Sequence, residues 1–312
     1  MIISASVRTD IPAFYGAWFM NRVRAGYCLV QNPYSAETYR VGLRPQDVDG
    51  FVLWTKNLTP FAEHLAELAE VAPFMVNFTI NGYPRALESR VVDAEQSVAQ
   101  ARAVARQWGP RAVVWRYDTI VFASALGADA DAWHRQNFGR LAAALEGATD
   151  EVIVSFATLY QKTRRNMDAA ARAHGFVWED PDDECKRALC AALVTIAAQH
   201  GLRLSVCAQP AYVVDGAHEA RCIDAARLSD LRGETIRAPQ QGTRPDCACH
   251  RSRDVGAYDT CPHGCVYCYA VRRRSVALRR YQTHDPASPF LIAPEGAALP
   301  TAEDEPQQPR LL

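Results

Sequence analysis

Six short apolar runs, each followed by a longer amphipathic stretch, organise the first two-thirds of the chain. They are Ile2–Ser6 (IISAS), Phe51–Trp54 (FVLW), Phe74–Ile80 (FMVNFTI), Ala112–Tyr117 (AVVWRY), Glu151–Phe156 (EVIVSF) and Leu202–Ala208 (LRLSVCA). Runs this short and this apolar predict strands buried on both faces. The stretches between them space their apolar residues for helices, each with its own punctuation. Asp10 and Pro12 open a segment with Phe14, Ala17 and Trp18 on one face, ended by Gly26. Thr59 and Pro60 open a second with Phe61, Leu65 and Leu68, and Asp93 with Gln96 predicts a capping box ahead of Val98, Ala101, Ala105 and Trp108. Phe138, Leu141 and Leu145 mark a fourth helix. Cys185, Leu189, Leu193 and Ile196 mark a fifth that stops at Gly201, and Ile223, Leu228 and Leu231 mark a shorter sixth. Ahead of the second strand, YCLVQNPYSAETYRV has two β-prone arms about NPYS and predicts an inserted hairpin.

Six strand-then-helix units in series predict parallel strands joined by right-handed crossovers. The expected fold is a TIM-like parallel β/α barrel, full or partial, over residues 1–240, with a doubly wound open sheet as the alternative. Residues 241–284 form a cysteine-rich segment expected to pack on the barrel mouth, and 285–312, rich in Pro and Ala, a mobile tail.

Every apolar run ends in polar residues, and in α/β barrels the carboxyl ends of the strands surround the ligand mouth. Arg8, Asp10, Lys56, Asn77, Arg116 and Asp118 are therefore candidate contacts to a cofactor or substrate. The competing reading makes Arg8 with Asp10, and Arg116 with Asp118, structural ion pairs at the rim.

Composition narrows the partners. The chain has 312 residues, 49% hydrophobic, with a formal net charge of -1, the profile of a soluble enzyme-sized protein. No run approaches the roughly 18 apolar residues of a membrane span, and no basic region leads into an apolar one at the N-terminus, so a cytoplasmic protein without a membrane partner is expected. Near-neutral charge argues against chain-wide attraction to nucleic acid. Local basic runs, Arg272–Arg274 with Arg279 and Arg280, and Lys162–Asn166 (KTRRN), read as solvated faces, with an anionic substrate or nucleic acid as the sharper options.

Ten cysteines in a reducing compartment point to metal before disulfides. Cys28, Cys185 and Cys190 stand singly in apolar surroundings and read as buried small hydrophobes. The other seven fall in the last third. Cys261, Cys265 and Cys268, in CPHGCVYCYA, have spacings that let one loop wrap three thiolates about a 4Fe-4S cluster, leaving one iron open. Cys207, Cys222, Cys247 and Cys249 suggest a second site for an iron-sulfur cluster or a tetrahedral zinc, unless Cys207 and Cys222 are merely buried. His250 and His263 flank these cysteines and read as hydrogen-bonding or exposed groups rather than ligands.

The three-cysteine motif, with Tyr267 before its last cysteine, resembles that of the radical S-adenosylmethionine superfamily. That resemblance implies an open iron chelating S-adenosylmethionine, an external electron donor, and homolysis to a 5'-deoxyadenosyl radical aimed at a substrate. Two features depart from the superfamily: the motif follows the last predicted element instead of the first strand, and WTKN stands where a glycine-rich segment with glutamate is expected. A wider resemblance covers nearly the whole chain. SASVRTDIPAFYGAWFMNRVRAGY, DGFVLWTKN, VVWRYD, SFATLYQKTRRN, DVGAYDTCPHGCVYCYA and THDPASPF resemble an uncharacterised domain-of-unknown-function family with a C-terminal, radical-SAM-like cysteine cluster. Two other functions share these residues: a non-catalytic iron-sulfur protein for electron transfer or redox sensing, and a zinc-stabilised binding module. The last is the weakest, since only Cys265 and Cys268 form a Cys-x2-Cys pair. Hydrolytic motifs and phosphate-cradling glycine loops are absent.

Overall fold

The computed structural model describes residues 1–294 except Tyr34 and Ala36. Eight parallel strands form one sheet: β1 (Ile2–Ala5), β2 (Gly50–Thr55), β3 (Phe74–Thr79), β4 (Val113–Ile120), β5 (Glu151–Phe156), β6 (Arg203–Val206), β7 (His218–Glu219) and β8 (Ser252–Asp254). The first six are the apolar runs of the sequence. From β1 to β7 the lateral order is the chain order, and β8 lies on the other side of β1, so the two shortest and most polar strands hold the two edges. Short polar edges are how sheets avoid pairing with other chains. The inserted hairpin forms as expected, Tyr27–Gln31 antiparallel to Thr38–Gly42.

Among the described residues eight α-helices follow the same order: α1 (Gly16–Ala25), α2 (Leu65–Val71), α3 (Ala94–Trp108), α4 (Ala130–Leu145), α5 (Gln161–His174), α6 (Asp183–Gln199), α7 (Ala225–Arg232) and α8 (Arg274–Gln282), with a single turn, Ile11–Phe14, before α1. Asp129 caps α4 by accepting from the Ala132 amide at 3.0 Å, and Asp182 caps α6 through the Cys185 amide at 2.8 Å. The expected capping box on α3 does not form, because Asp93 turns its carboxylate to Arg85 Nη2 at 2.7 Å. Cys28 and Cys190 are buried as expected, whereas Cys185 is exposed. The correction follows from the cap: Cys185 lies in the first, solvent-facing turn of α6, ahead of the apolar stripe that begins at Leu189.

Alternation along the strands sorts the core into two faces. Ile3, Leu53, Val76, Trp115, Val154 and Val206 pack with Phe19, Leu68, Val104, Phe138 and Leu193 of α1, α2, α3, α4 and α6 as one cluster. Each such side chain contributes about 1.5–3 kcal/mol on burial. The other face gathers Ile2, Val52, Met75, Val114 and Ile153 with Cys207, Cys222, Ile223, Leu228 and Cys249. Helix α7 closes this face at the amino ends of the strands: its fully buried Arg227 pairs with Asp150 at 2.8 Å and Glu151 at 2.7 Å and donates to the Arg111 carbonyl at 3.0 Å.

After 284 the chain packs back against the core through Ser288, Pro289, Phe290 and Leu291. Trp18 Nε1 donates to the Ser288 carbonyl at 3.0 Å, the Leu29 amide to the Pro289 carbonyl at 2.9 Å, and Phe290 and Leu291 are buried. Positions 295–312 of the expected tail lie outside the described residues. No helix among the described residues is long and apolar enough to cross a membrane.

Candidate metal centre

The segment leaving β8 is pinned over the carboxyl end of β1. Asp254 accepts from Ser4 Oγ at 2.9 Å, Ser6 Oγ at 2.7 Å and the Val7 amide at 2.8 Å. Thr9 then donates to the Ala257 carbonyl at 2.7 Å, and Tyr15 to the Thr260 carbonyl at 2.8 Å. These bonds carry the chain into the three-cysteine loop across the strand ends. There the segment after β3 grips it from the other side: the Val266 amide donates to the Leu87 carbonyl at 3.1 Å, and the Arg90 amide to the His263 carbonyl at 3.0 Å. Helix α5 holds the exit, with Arg165 and Asn166 donating to the carbonyls of Arg272 and Val271 at 2.8 and 3.3 Å.

A buried polar cage lies against this loop. Lys56 Nζ meets Glu88 Oε1 at 2.7 Å and the Tyr267 hydroxyl at 3.3 Å, and Tyr267 donates to the same Glu88 oxygen. Asn81 Nδ2 adds bonds to Tyr267 at 3.0 Å and Glu88 at 3.2 Å. Asp10 Oδ2 accepts from the Lys56 amide at 2.7 Å and stands 2.7 Å from His263 Nε2. The other ring nitrogen of His263, Nδ1, is buried with no protein partner. Such orphaned atoms are uncommon in folded proteins.

The electrostatics of the three thiols follow from this burial. Desolvation raises the pKa of all three, helped by Asp10 at Cys261 and opposed by Lys56 at Cys265. At Cys268 desolvation is opposed by the amides of Ala270, 3.3 Å away, and Val271. Lys56 keeps its own proton: burial acts to lower its pKa, but Glu88 and Cys265 outweigh burial and raise it. Burial thus favours the protonated thiol at all three cysteines, and a bound metal would have to displace those protons. The fixed amides and the Lys56 ammonium are then in place to stabilise the thiolates.

The other four late cysteines meet on the sheet face opposite the main helices. Cys207 Sγ and Cys222 Sγ are 3.4 Å apart, Cys222 is hydrogen-bonded to Cys249, and Cys249 to Cys247. The bond from Cys249 lowers Cys247 to about 6. Arg116 Nη1 donates to Cys222 Sγ at 2.7 Å, Arg244 Nη2 to Cys207 Sγ at 3.4 Å, and the Arg116 guanidinium lies 4.9 Å from the Trp54 ring centroid. Among the described residues no three Cys, His, Asp or Glu side chains converge at the spacing of one bound ion. That finding bears on single-ion sites, since cubane thiolates ligate separate irons and stand farther apart.

The six polar strand-end candidates separate into three places. Asp10 and Lys56 lie beside the three-cysteine loop. Asn77 donates to the Cys222 carbonyl at 2.9 Å and, with Arg116, belongs to the four-cysteine group. Asp118 joins the two, pairing with Arg116 through its carboxylate and with Asn81 through its backbone. Arg8 points elsewhere: it pairs with Asp254 at 3.9 Å, not with Asp10, and lies 5.3 Å from the Tyr258 ring centroid. The basic run after the motif is engaged with the fold, Arg272 with Asp259, Arg274 with the Pro262 carbonyl and Arg280 with the Tyr258 carbonyl. Glu88 and Asn81 escaped the sequence reading because they follow β3 in an irregular segment without periodicity or motif. A cavity of about 200 Å³ opens beside them, walled also by Arg85 and Arg140, smaller than ordinary ligand pockets.

A family profile described as a domain of unknown function, DUF1848, matches residues 2–270. No curated protein matches the chain.

Proposed function

Starting from the chain's membership of the DUF1848 family, whose description assigns no activity, we propose that it is an iron-sulfur protein of the radical S-adenosylmethionine type. On this reading Cys261, Cys265 and Cys268 would hold a 4Fe-4S cluster with one open iron. One observation carries this reading: a single loop lays three half-buried thiols, with backbone amides aimed at the sulfurs of Cys261 and Cys268, across the carboxyl ends of parallel strands and against the Lys56–Glu88–Tyr267 cage. Ligand chemistry in parallel α/β folds gathers at that end.

The sheet itself we read as a barrel. Its strands follow chain order without reversal, and α1 to α4 and α6 share one face, whereas a doubly wound sheet reverses order midway and covers both faces with helices. The edges β7 and β8 are consecutive in the chain, as a closing barrel requires.

When bound, the cluster supplies one electron to a sulfonium cofactor, delivered by an external donor. The protein's residues do the rest. Lys56 offsets the charge of the Cys265 thiolate, and Glu88 holds Lys56 in place. Tyr267 closes the apolar side of the loop against Tyr83 and Leu87, excluding water. Asp10 fixes the His263 ring and so the first turn of the motif.

The test is anaerobic reconstitution with iron and sulfide, then S-adenosylmethionine and a reductant, with 5'-deoxyadenosine as the readout. Formation above a Cys265→Ala control supports the radical enzyme. A full cluster that yields none replaces it with the electron-transfer or redox-sensing reading. Unchanged iron content and absorption in Cys265→Ala removes both.

A further inference from the structure

The four-cysteine group is a different site from the loop above and calls for different chemistry. We propose that Cys207, Cys222, Cys247 and Cys249 bind a single tetrahedral zinc ion, which ties the β6 end to the segment before β8. The argument begins with spacing. Thiolates sharing one zinc, at about 2.3 Å each, stand roughly 3.8 Å apart in a tetrahedron. The 3.4 Å between Cys207 and Cys222 sulfurs lies near that edge, and it is too short for two irons of a cubane to occupy separately. The remaining contacts run on from Cys222 to Cys249 and from Cys249 to Cys247, so the four sulfurs lie in a string of neighbours. Among the described residues no three of these side chains converge on one point as they stand, so closing the string on one ion asks for rotation at its end, where Cys247 is only half-buried.

Charge supplies the second argument. Arg116 is 5% exposed, and its guanidinium donates to a sulfur on one side and to Asp118 on the other. Arg244 aims a second guanidinium at the Cys207 sulfur and carbonyl. Buried Arg116 and exposed Arg244 thus face one carboxylate, Asp118, and leave one surplus positive charge beside the sulfurs. Four thiolates about a divalent ion carry a net double negative charge, half of which that surplus offsets, and N–H donors to ligating sulfur are the usual outer shell of such sites. The backbone is built for it as well. Asn77 fixes the Cys222 carbonyl, the Gln241 amide fixes that of Cys249 at 2.9 Å, and a Cβ at Gly242 would stand 2.3 Å from the Cys247 carbonyl, so the turn presenting Cys247 and Cys249 admits only glycine there without a shift.

This site stands or falls apart from the iron-sulfur reading, because the two metals are measured separately. Full-length protein purified without added metal is expected to carry one zinc per chain by elemental analysis. Cys249→Ser should lose that zinc and keep the capacity to take up iron and sulfide, while the exposed Cys185→Ser keeps both. Should Cys249→Ser fail to fold, cobalt(II) added to zinc-stripped wild type carries the test, with tetrahedral ligand-field and sulfur charge-transfer bands expected. Absence of zinc together with no such bands overturns the proposal. So does a Cys207–Cys222 disulfide found by mass spectrometry in protein purified anaerobically, or iron and sulfide that disappear with Cys249→Ser.

Discussion

Gly264 in the three-cysteine loop adopts φ 76°, and a Cβ there would stand 2.3 Å from Ser89 Oγ. Gly264→Ala therefore meets two penalties, about 1–2 kcal/mol for a left-handed backbone and displacement of the segment that positions Glu88. The expected result is lower iron per chain after reconstitution, with a urea midpoint shifted downward. Lys56 tests the cage. Lys56→Met leaves Glu88 a buried carboxylate without its cation, which should cost about 3 kcal/mol by urea denaturation, and Lys56→Met with Glu88→Gln should recover part of the loss. An unchanged midpoint in the single variant would mean that water already solvates Glu88. At this scale the cysteines were legible because their close, uneven spacing stands out in the sequence itself. Glu88 was not, since a lone carboxylate in a loop becomes meaningful only when the fold brings Lys56, Asn81 and Tyr267 to it.

Helix α7 is the element whose role the sequence concealed most. Its apolar residues were visible, but its anchor is a cation: Arg227, fully buried between Asp150 and Glu151 at the strands' amino ends. Arg227→Ala should destabilise the fold by about 3 kcal/mol at pH 7, because it removes the buried cation that Asp150 and Glu151 share and leaves them only Arg111 and Arg203. The pH dependence has a definite sign. Burial acts to raise the Asp150 pKa, but Arg227 and Arg111 outweigh it and hold it below 3.8. Its contribution is thus present above the unfolded pKa and is lost as pH falls through the lower folded value. Urea midpoints of wild type and Arg227→Ala should converge below about pH 4; a constant gap would contradict this assignment. The six long strands and the helices between them were legible from hydrophobic period. β7 and β8 were not, being two and three polar residues with no hydrophobic period to announce them. α5 also escaped, because among its fourteen residues only Thr163, Met167 and Ala170 are buried and its charges mask the period.

For the molecule as a whole, the decisive contact joins its two ends: β8 pairs with β1, and Asp254 ties both to the start of the loop. Asp254→Ala removes acceptors for Ser4, Ser6 and the Val7 amide, and should cost about 2–3 kcal/mol. Hydrogen exchange should then quicken in residues 255–270 while β3, β4 and β5 stay protected; uniform quickening would show that the loop and sheet open as one unit. The alternation of strands and helices could announce a parallel sheet, but not which strand closes against the first, because that pairing spans about 250 positions and leaves no local trace.

The same pairing sets an order of manufacture. A ribosome releases every one of the eight strands before Cys261 emerges, and N-terminal parts fold first as synthesis proceeds. Seven of those strands can therefore pair before the three-cysteine loop leaves the ribosome, with the closing strand arriving just ahead of it. On the proposed iron-sulfur reading, a shortage of iron in the cell would leave behind a chain whose sheet is already built, not an unfolded one marked for destruction.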